Sequence, residues 1–191
     1  NKGTPALVHY LTENSMNSVD WLEDLGVKFK DEIGTATGAL WQRSHYPATP
    51  SGNTYIRTFE QVIGETNGAI KVMTDTKVTD LIKADGRIKG VMAENFGRKI
   101  TVDAGAVVIA TGGFGSNLEM RKQYNPMMDE KILSTDSVGS TGDGITMAEA
   151  IGAKLVDMEW IQTYPTCDAE TGRLLYVGDV RLDGRAILVN L

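Results

Sequence analysis

Positive charge is in short supply: 19 Lys and Arg stand against 25 Asp and Glu, a formal net charge of -6. Such a chain offers no basic footprint for a phosphate backbone, so nucleic acid is not expected as a partner. Long apolar runs are absent too. No stretch approaches the roughly 18 residues of a bilayer span. Nor does a basic region followed by an apolar one open the chain as a signal peptide would. The single cysteine, Cys167, excludes an internal disulfide and any cysteine-based metal cluster, and no metal site is expected. Its thiol reads as a partly buried packing group and leaves the compartment open. Two nucleotide signatures are also missing. Without Gly-Lys-Ser/Thr there is no Walker loop, and no Gly-x-Gly-x-x-Gly opens a dinucleotide domain.

What remains is 41% hydrophobic and 23% charged over 191 residues, enough to bury a core as one large domain or as one domain and part of another. Both ends read as cut. The chain begins without methionine and stops inside the apolar run Ala186–Leu191, typical of a strand interior. Thr4 as cap, Pro5 at the first helical position, and Val8, Leu11, Val19 and Leu22 at helical spacing predict a helix over about 5–25, closed by Gly26. Residues 30–54 show no sustained period and suit an active-site wall. A second helix is expected over about 54–65, with Tyr55, Phe59, Val62 and Ile63 on one face and Asn67-Gly68 ending it. Short strands follow at Ile70–Asp75, Val78–Ala84, Arg87–Glu94 and Arg98–Val102. Asp85-Gly86 signals a tight hairpin within this antiparallel meander. Gly105–Ala110 is different. Its continuous small and branched apolar residues predict a central strand of a parallel sheet, covered on both faces. Short helices are expected near 117–124 and 144–151.

Two segments carry chemistry. The strand ending in Ala110-Thr111-Gly112-Gly113 places backbone amides and a hydroxyl at a strand's carboxyl end, where open α/β sheets bind ligands, and glycine lets a ligand approach closely. Gly139-Ser140-Thr141-Gly142-Asp143-Gly144 then joins glycines, a carboxylate and a helix start. Such a terminus favours anionic groups, and Asp143 can cap the helix or accept hydrogen bonds from ligand hydroxyls.

The order of these segments resembles the FAD-binding 2 family of soluble fumarate reductases and their relatives. The resemblance rests on the meander, Ala-Thr-Gly-Gly-Phe, Thr-Gly-Asp-Gly, then Glu159–Thr166 and Gly184–Asn190, and covers nearly the whole chain. It implies an α/β fold with α+β elements: a partial FAD-binding domain of glutathione-reductase-like type over residues 1–158 and the start of a substrate-capping domain over 159–191. The family's Gly-rich FAD fingerprint would lie outside these residues, so the piece alone is expected neither to turn over substrate nor to hold FAD tightly. FMN on a separate domain is compatible with the resemblance. By the same resemblance Ala110, Thr111, Gly112 and Gly113 line the FAD. Gly142 and Asp143 lie near its ribityl or pyrophosphate part, and Val78 meets the adenine through its backbone. His45, within Arg43–Pro47, falls near the flavin and substrate. The family's relay arginine falls opposite Arg181 or Leu182, depending on whether a one-residue gap is placed near Asp183-Gly184, and Arg181 is the candidate proton relay.

The substrate end departs from the fumarate-reducing pattern. Tyr164 stands where those enzymes show histidine before Pro-Thr, and Gly178-Asp179 where they show Thr-Glu. A carboxylate facing the dianion fumarate would repel it. Tyr164 and Asp179 suit a ligand with an aromatic, proton-donating end such as an imidazole. Within the family this pairing resembles the members that reduce the side-chain double bond of urocanate, giving imidazole propionate. The implied chemistry is hydride transfer from reduced flavin to an α,β-unsaturated acid. Fumarate, other enoates, 3-ketosteroids and a noncatalytic nucleotide-binding module are the alternatives. No electron donor is named by the sequence.

Overall fold

The structure is a computed structural model that describes residues 3–35, 40–49, 52–164, 168, 170 and 171. These fall into two compact units, one drawn from residues up to Val72 and one beginning at Met73.

In the first unit, helix α1 spans Pro5–Asp24 and helix α2 spans Asn53–Glu65. Pro5 starts α1, and Gly26, at φ 105°, lets the chain turn out of it so that Val27 is buried at once. The expected apolar stripe of α1 is only partly covered. Val19 and Leu22 are half-buried, whereas Leu7, Val8 and Leu11 face outward. Trp21 of α1 reaches Phe59 of α2, ring centroids 6.1 Å apart. The predicted face of α2 is the half-buried one, and Asn67 and Gly68, both at positive φ, follow its end.

The segment expected to be irregular is stitched by backbone hydrogen bonds. Lys30 N–H donates to Tyr46 O at 2.9 Å, Ala48 N–H to Lys28 O at 2.8 Å, and Gly34 and Ser44 exchange bonds at 2.9 Å. Gly34 is needed there because a Cβ would enter the Tyr46 ring.

The second unit is organised by an antiparallel meander, β1 (Thr76–Ala84), β2 (Arg87–Asn95) and β3 (Arg98–Asp103), in that spatial order. Both of its turns are two residues long with both residues at positive φ, Asp85-Gly86 at 52° and 73°, and Phe96-Gly97 at 45° and 75°. That geometry matches the twist of hairpin strands. Aspartate tolerates it, whereas Phe96 is strained and 84% exposed, so its ring contributes little in return. Phe96→Asn is therefore expected to stabilise the protein by about 1 kcal/mol, read as a higher denaturation midpoint. An unchanged or lowered midpoint would contradict this account of the turn.

Helix α3 spans Leu118–Tyr124 and helix α4 spans Asp143–Ala150, and α4 packs on β1. A lysine of β1 meets each end of α4. Lys83 Nζ donates to the Ile151 carbonyl at 2.8 Å, satisfying a carboxyl-terminal acceptor of α4, and Lys77 pairs with Asp143 at its start. Buried apolar side chains among the described residues are few: Val27 in the first unit, Ala93 and Met120 in the second.

Two expected strands are absent. Ile70–Asp75 has no ladder, with a bend at Ile70 and a turn at Thr74-Asp75, where Asp75 sits at φ 51°. Gly105–Ala110 also has no ladder. Val108 is 89% exposed and Ile109 42%, so the apolar run suited to a doubly covered strand has no covering strand among the described residues. A strand is defined by its partners, and sequence pattern alone does not supply them.

Candidate functional site

Two glycine-bearing loops converge in the second unit. Gly142 N–H donates to the Gly113 carbonyl at 3.1 Å, joining Thr111–Gly113 to the start of α4. Gly142 takes φ 80°, and a Cβ there would press on Met120 and Phe114. Gly144 is buried, and a Cβ on it would overlap the Thr111 hydroxyl and an Ile109 methyl. The helix thus approaches the Ala110–Gly113 segment as closely as backbone permits. Gly112, at φ 73°, faces open space where its Cβ would stand, and Ala110, Thr111 and Gly113 are exposed.

The start of α4 has no side-chain cap. No N-cap side chain takes up its first amides, and the helix dipole favours negative charge there. Unobstructed glycine backbone, the Thr111 hydroxyl and an uncapped helix start together fit a long, anionic, hydroxyl-bearing cofactor.

The carboxylate at this terminus is controlled. Lys77 Nζ lies 3.0 Å from Asp143 Oδ2, and hydrogen bonds from Lys77 first and Thr141 second hold the Asp143 carboxyl below its ordinary value. Lys77, Val78, Thr79, Asp143 and Met147 line one depression of about 240 Å³, so Val78 and Asp143 share a surface. The β1–β2 register shifts between Val78 and Asp80, a β-bulge at the mouth of this depression. Bulges commonly re-aim side chains beside sites.

A carboxyl with a lowered folded-state pKa stabilises the fold above its unfolded value of 3.8, and that contribution is lost as the pH falls through the lower folded value. Both side chains are substantially exposed, so the pair contributes no more than about 1 kcal/mol. Lys77→Met is expected to lower stability at neutral pH by up to about 1 kcal/mol, a difference from wild type that vanishes as the pH falls through the lower folded value, so that the acid limb is flatter. Chemical denaturation across pH 2–5 reads this out, and an unchanged acid limb would count against the pair.

A further set of bonds, absent from the sequence reading, locks the loops together. Ser116 N–H donates to Ser140 O at 3.0 Å and Ser116 Oγ to Ser137 O at 2.7 Å. Asn117 Oδ1 accepts from Met120 N–H at 3.0 Å as the N-cap of α3, while its Nδ2 donates to Thr141 O at 2.9 Å. An asparagine just before a helical run is a readable capping signal, but its reach to a residue 24 positions later is not.

Tyr164 lines a cavity of about 110 Å³ with Arg121, Ser134 and Asp136. Arg121 is 8% exposed, and its Nη1 donates to Ile132 O at 3.0 Å. His45 belongs to the first unit, where it meets Phe29 edge-on with ring centroids 6.0 Å apart. Asp179 and Arg181 lie outside the described residues.

The meander, the uncapped helix start and the paired glycine loops define the class: a domain that holds a dinucleotide-type cofactor along exposed backbone. The chain belongs to the family described as FAD binding domain, whose family model matches residues 1–190. It is 45% identical over 204 residues to the urocanate reductase of Eggerthella lenta, covering 98% of this chain and 32% of that protein. To the NADH:acrylate oxidoreductase of Vibrio harveyi it is 40% identical over 176 residues, 88% of this chain and 17% of that one. Among solved structures, the open conformation of a flavocytochrome c3 fumarate reductase superposes with a TM-score of 0.78 at 30% identity, covering 87% of this chain and 29% of that chain. The chain thus spans a third or less of the length of these relatives. No described helix is long and apolar enough to cross a membrane.

Proposed function

We propose that this chain forms part of the FAD site, and the beginning of the substrate site, of a longer flavin-dependent reductase acting on the carbon–carbon double bond of an α,β-unsaturated acid. The preferred substrate is urocanate and the product imidazole propionate. The observation that carries the cofactor part is the closure of Gly113 onto Gly142, which presents Thr111–Gly113 and the start of α4 as one surface. The substrate part is supported by Tyr164 with Asp179 and by the 45% identity to a urocanate reductase.

FAD, when bound, supplies the hydride for the double bond. Ala110, Thr111, Gly112 and Gly113 offer backbone and hydroxyl contacts along one side of it. Gly142 and the α4 amides face its anionic part, Asp143 accepts from a ribityl or ribose hydroxyl, and the Val78 backbone meets the adenine. On the substrate side Tyr164 stacks on or hydrogen-bonds to the imidazole, Asp179 accepts its N–H, and His45 lies close by. Arg181 belongs to the relay that would bring a proton towards the carbon next to the one taking hydride. In this reading residues 1–158 belong to the FAD domain and 159–191 begin the capping domain.

The test is a turnover assay of the full-length protein with a reduced artificial donor and urocanate, fumarate or cinnamate. Urocanate is expected to give the highest kcat/KM. A higher value for fumarate would remove the substrate assignment while leaving the cofactor site in place.

A further inference from the structure

We infer that Asn117 is a positioning residue of the cofactor site, acting through Thr141 on the Gly142–Gly144 turn. The inference rests on the reading of that turn as part of the FAD surface.

Asn117 is half-buried at the start of α3 and uses both ends of its amide. Oδ1 accepts from Met120 N–H at 3.0 Å and closes the first turn of α3. Nδ2 donates to the Thr141 carbonyl at 2.9 Å. Thr141 is the residue whose side chain helps hold Asp143 ionised, and it directly precedes Gly142 at φ 80°. Met120, the residue that Asn117 caps, is itself buried at the place where a Cβ on Gly142 would stand. One side chain therefore fixes the turn twice, by bonding its backbone and by holding the methionine that packs under it.

A serine, threonine or aspartate at position 117 could cap α3, but none of them carries an amide donor that also reaches Thr141 O. Capping alone thus does not account for asparagine. The second bond matters because the turn has no side-chain cap of its own to fix its backbone. Ser116 supports the same loop from the residue before, through Ser137 O and Ser140 O.

The two functions of Asn117 can be separated chemically. Asn117→Asp keeps the acceptor for Met120 N–H, and aspartate caps helices as well as asparagine does. It loses the donor and sets a carboxylate against the Thr141 carbonyl. Asn117→Ala loses both bonds. In the full-length protein, FAD affinity is measured by flavin fluorescence titration of the apoprotein, beside the apoprotein's thermal midpoint. Asn117→Asp, which keeps the cap, is expected to weaken FAD about tenfold with a smaller fall in midpoint than Asn117→Ala, which lowers both. Unchanged FAD affinity in Asn117→Asp would overturn the inference, as would a fall in its midpoint equal to that of Asn117→Ala. Gly112→Val serves as the control on the underlying reading. If it too binds FAD like wild type, the surface itself is misassigned. If it loses FAD while Asn117→Asp does not, only the role of Asn117 falls.

Discussion

Gly112→Val is expected to strip FAD from the full-length protein while leaving its apoprotein folded. The residue sits at φ 73°, and a Cβ there meets nothing within 4 Å. The cost to the fold is therefore confined to a branched residue at positive φ, about 1–2 kcal/mol. The isopropyl group, however, occupies the space in which a cofactor must approach the backbone, and a loss of affinity of at least about a hundredfold follows. Gly144→Val makes the instructive contrast. Its Cβ would overlap Thr111 and Ile109, so the loops would be forced apart and both the thermal midpoint and FAD binding should fall. Absorbance of the purified holoprotein and calorimetry of the apoprotein distinguish the two. Gly112→Val carrying FAD stoichiometrically would contradict the assignment of this surface.

The second large effect is expected at Asp179. If its carboxylate accepts the imidazole N–H, Asp179→Ala leaves that donor unpaired and lowers kcat/KM for urocanate by about a hundredfold or more. Cinnamate has the same acrylate side chain and an aromatic ring without an N–H, so its kcat/KM should change far less. The selectivity between the two acids is the quantity to follow, because it cancels any general loss of active protein. Equal losses on both substrates would show that Asp179 does not read the imidazole.

The elements legible in the sequence are those whose signals are local. Pro5 with Gly26, the face of Tyr55, Phe59, Val62 and Ile63, and Asp85-Gly86 each encode an element or a turn through their own backbone or spacing. The Phe96-Gly97 turn was hidden because phenylalanine is not a residue that favours positive φ. Gly105–Ala110 carries the composition of a buried strand, yet that composition states only that the segment wants covering on two faces, and its partners are not among the described residues. The site divides the same way. The glycines and Asp143 form a local pattern in the sequence, whereas the bond from Gly142 to Gly113 joins positions too far apart in the chain to be legible there. Lys77 had no signal, since one lysine on an exposed strand is ordinary until its ammonium is placed 3.0 Å from Asp143. The cap at Asn117 is a local feature and the bond to Thr141 is not.

The proposed activity of the full-length protein, FAD-linked reduction of urocanate, is tested most directly by a single turnover. The full-length protein with its FAD reduced is mixed anaerobically with urocanate or fumarate while the flavin absorbance is followed. Rapid flavin reoxidation by urocanate is expected, with one imidazole propionate formed per flavin, and much slower reoxidation by fumarate. Flavin that stays reduced with urocanate, or that is reoxidised faster by fumarate, would contradict it.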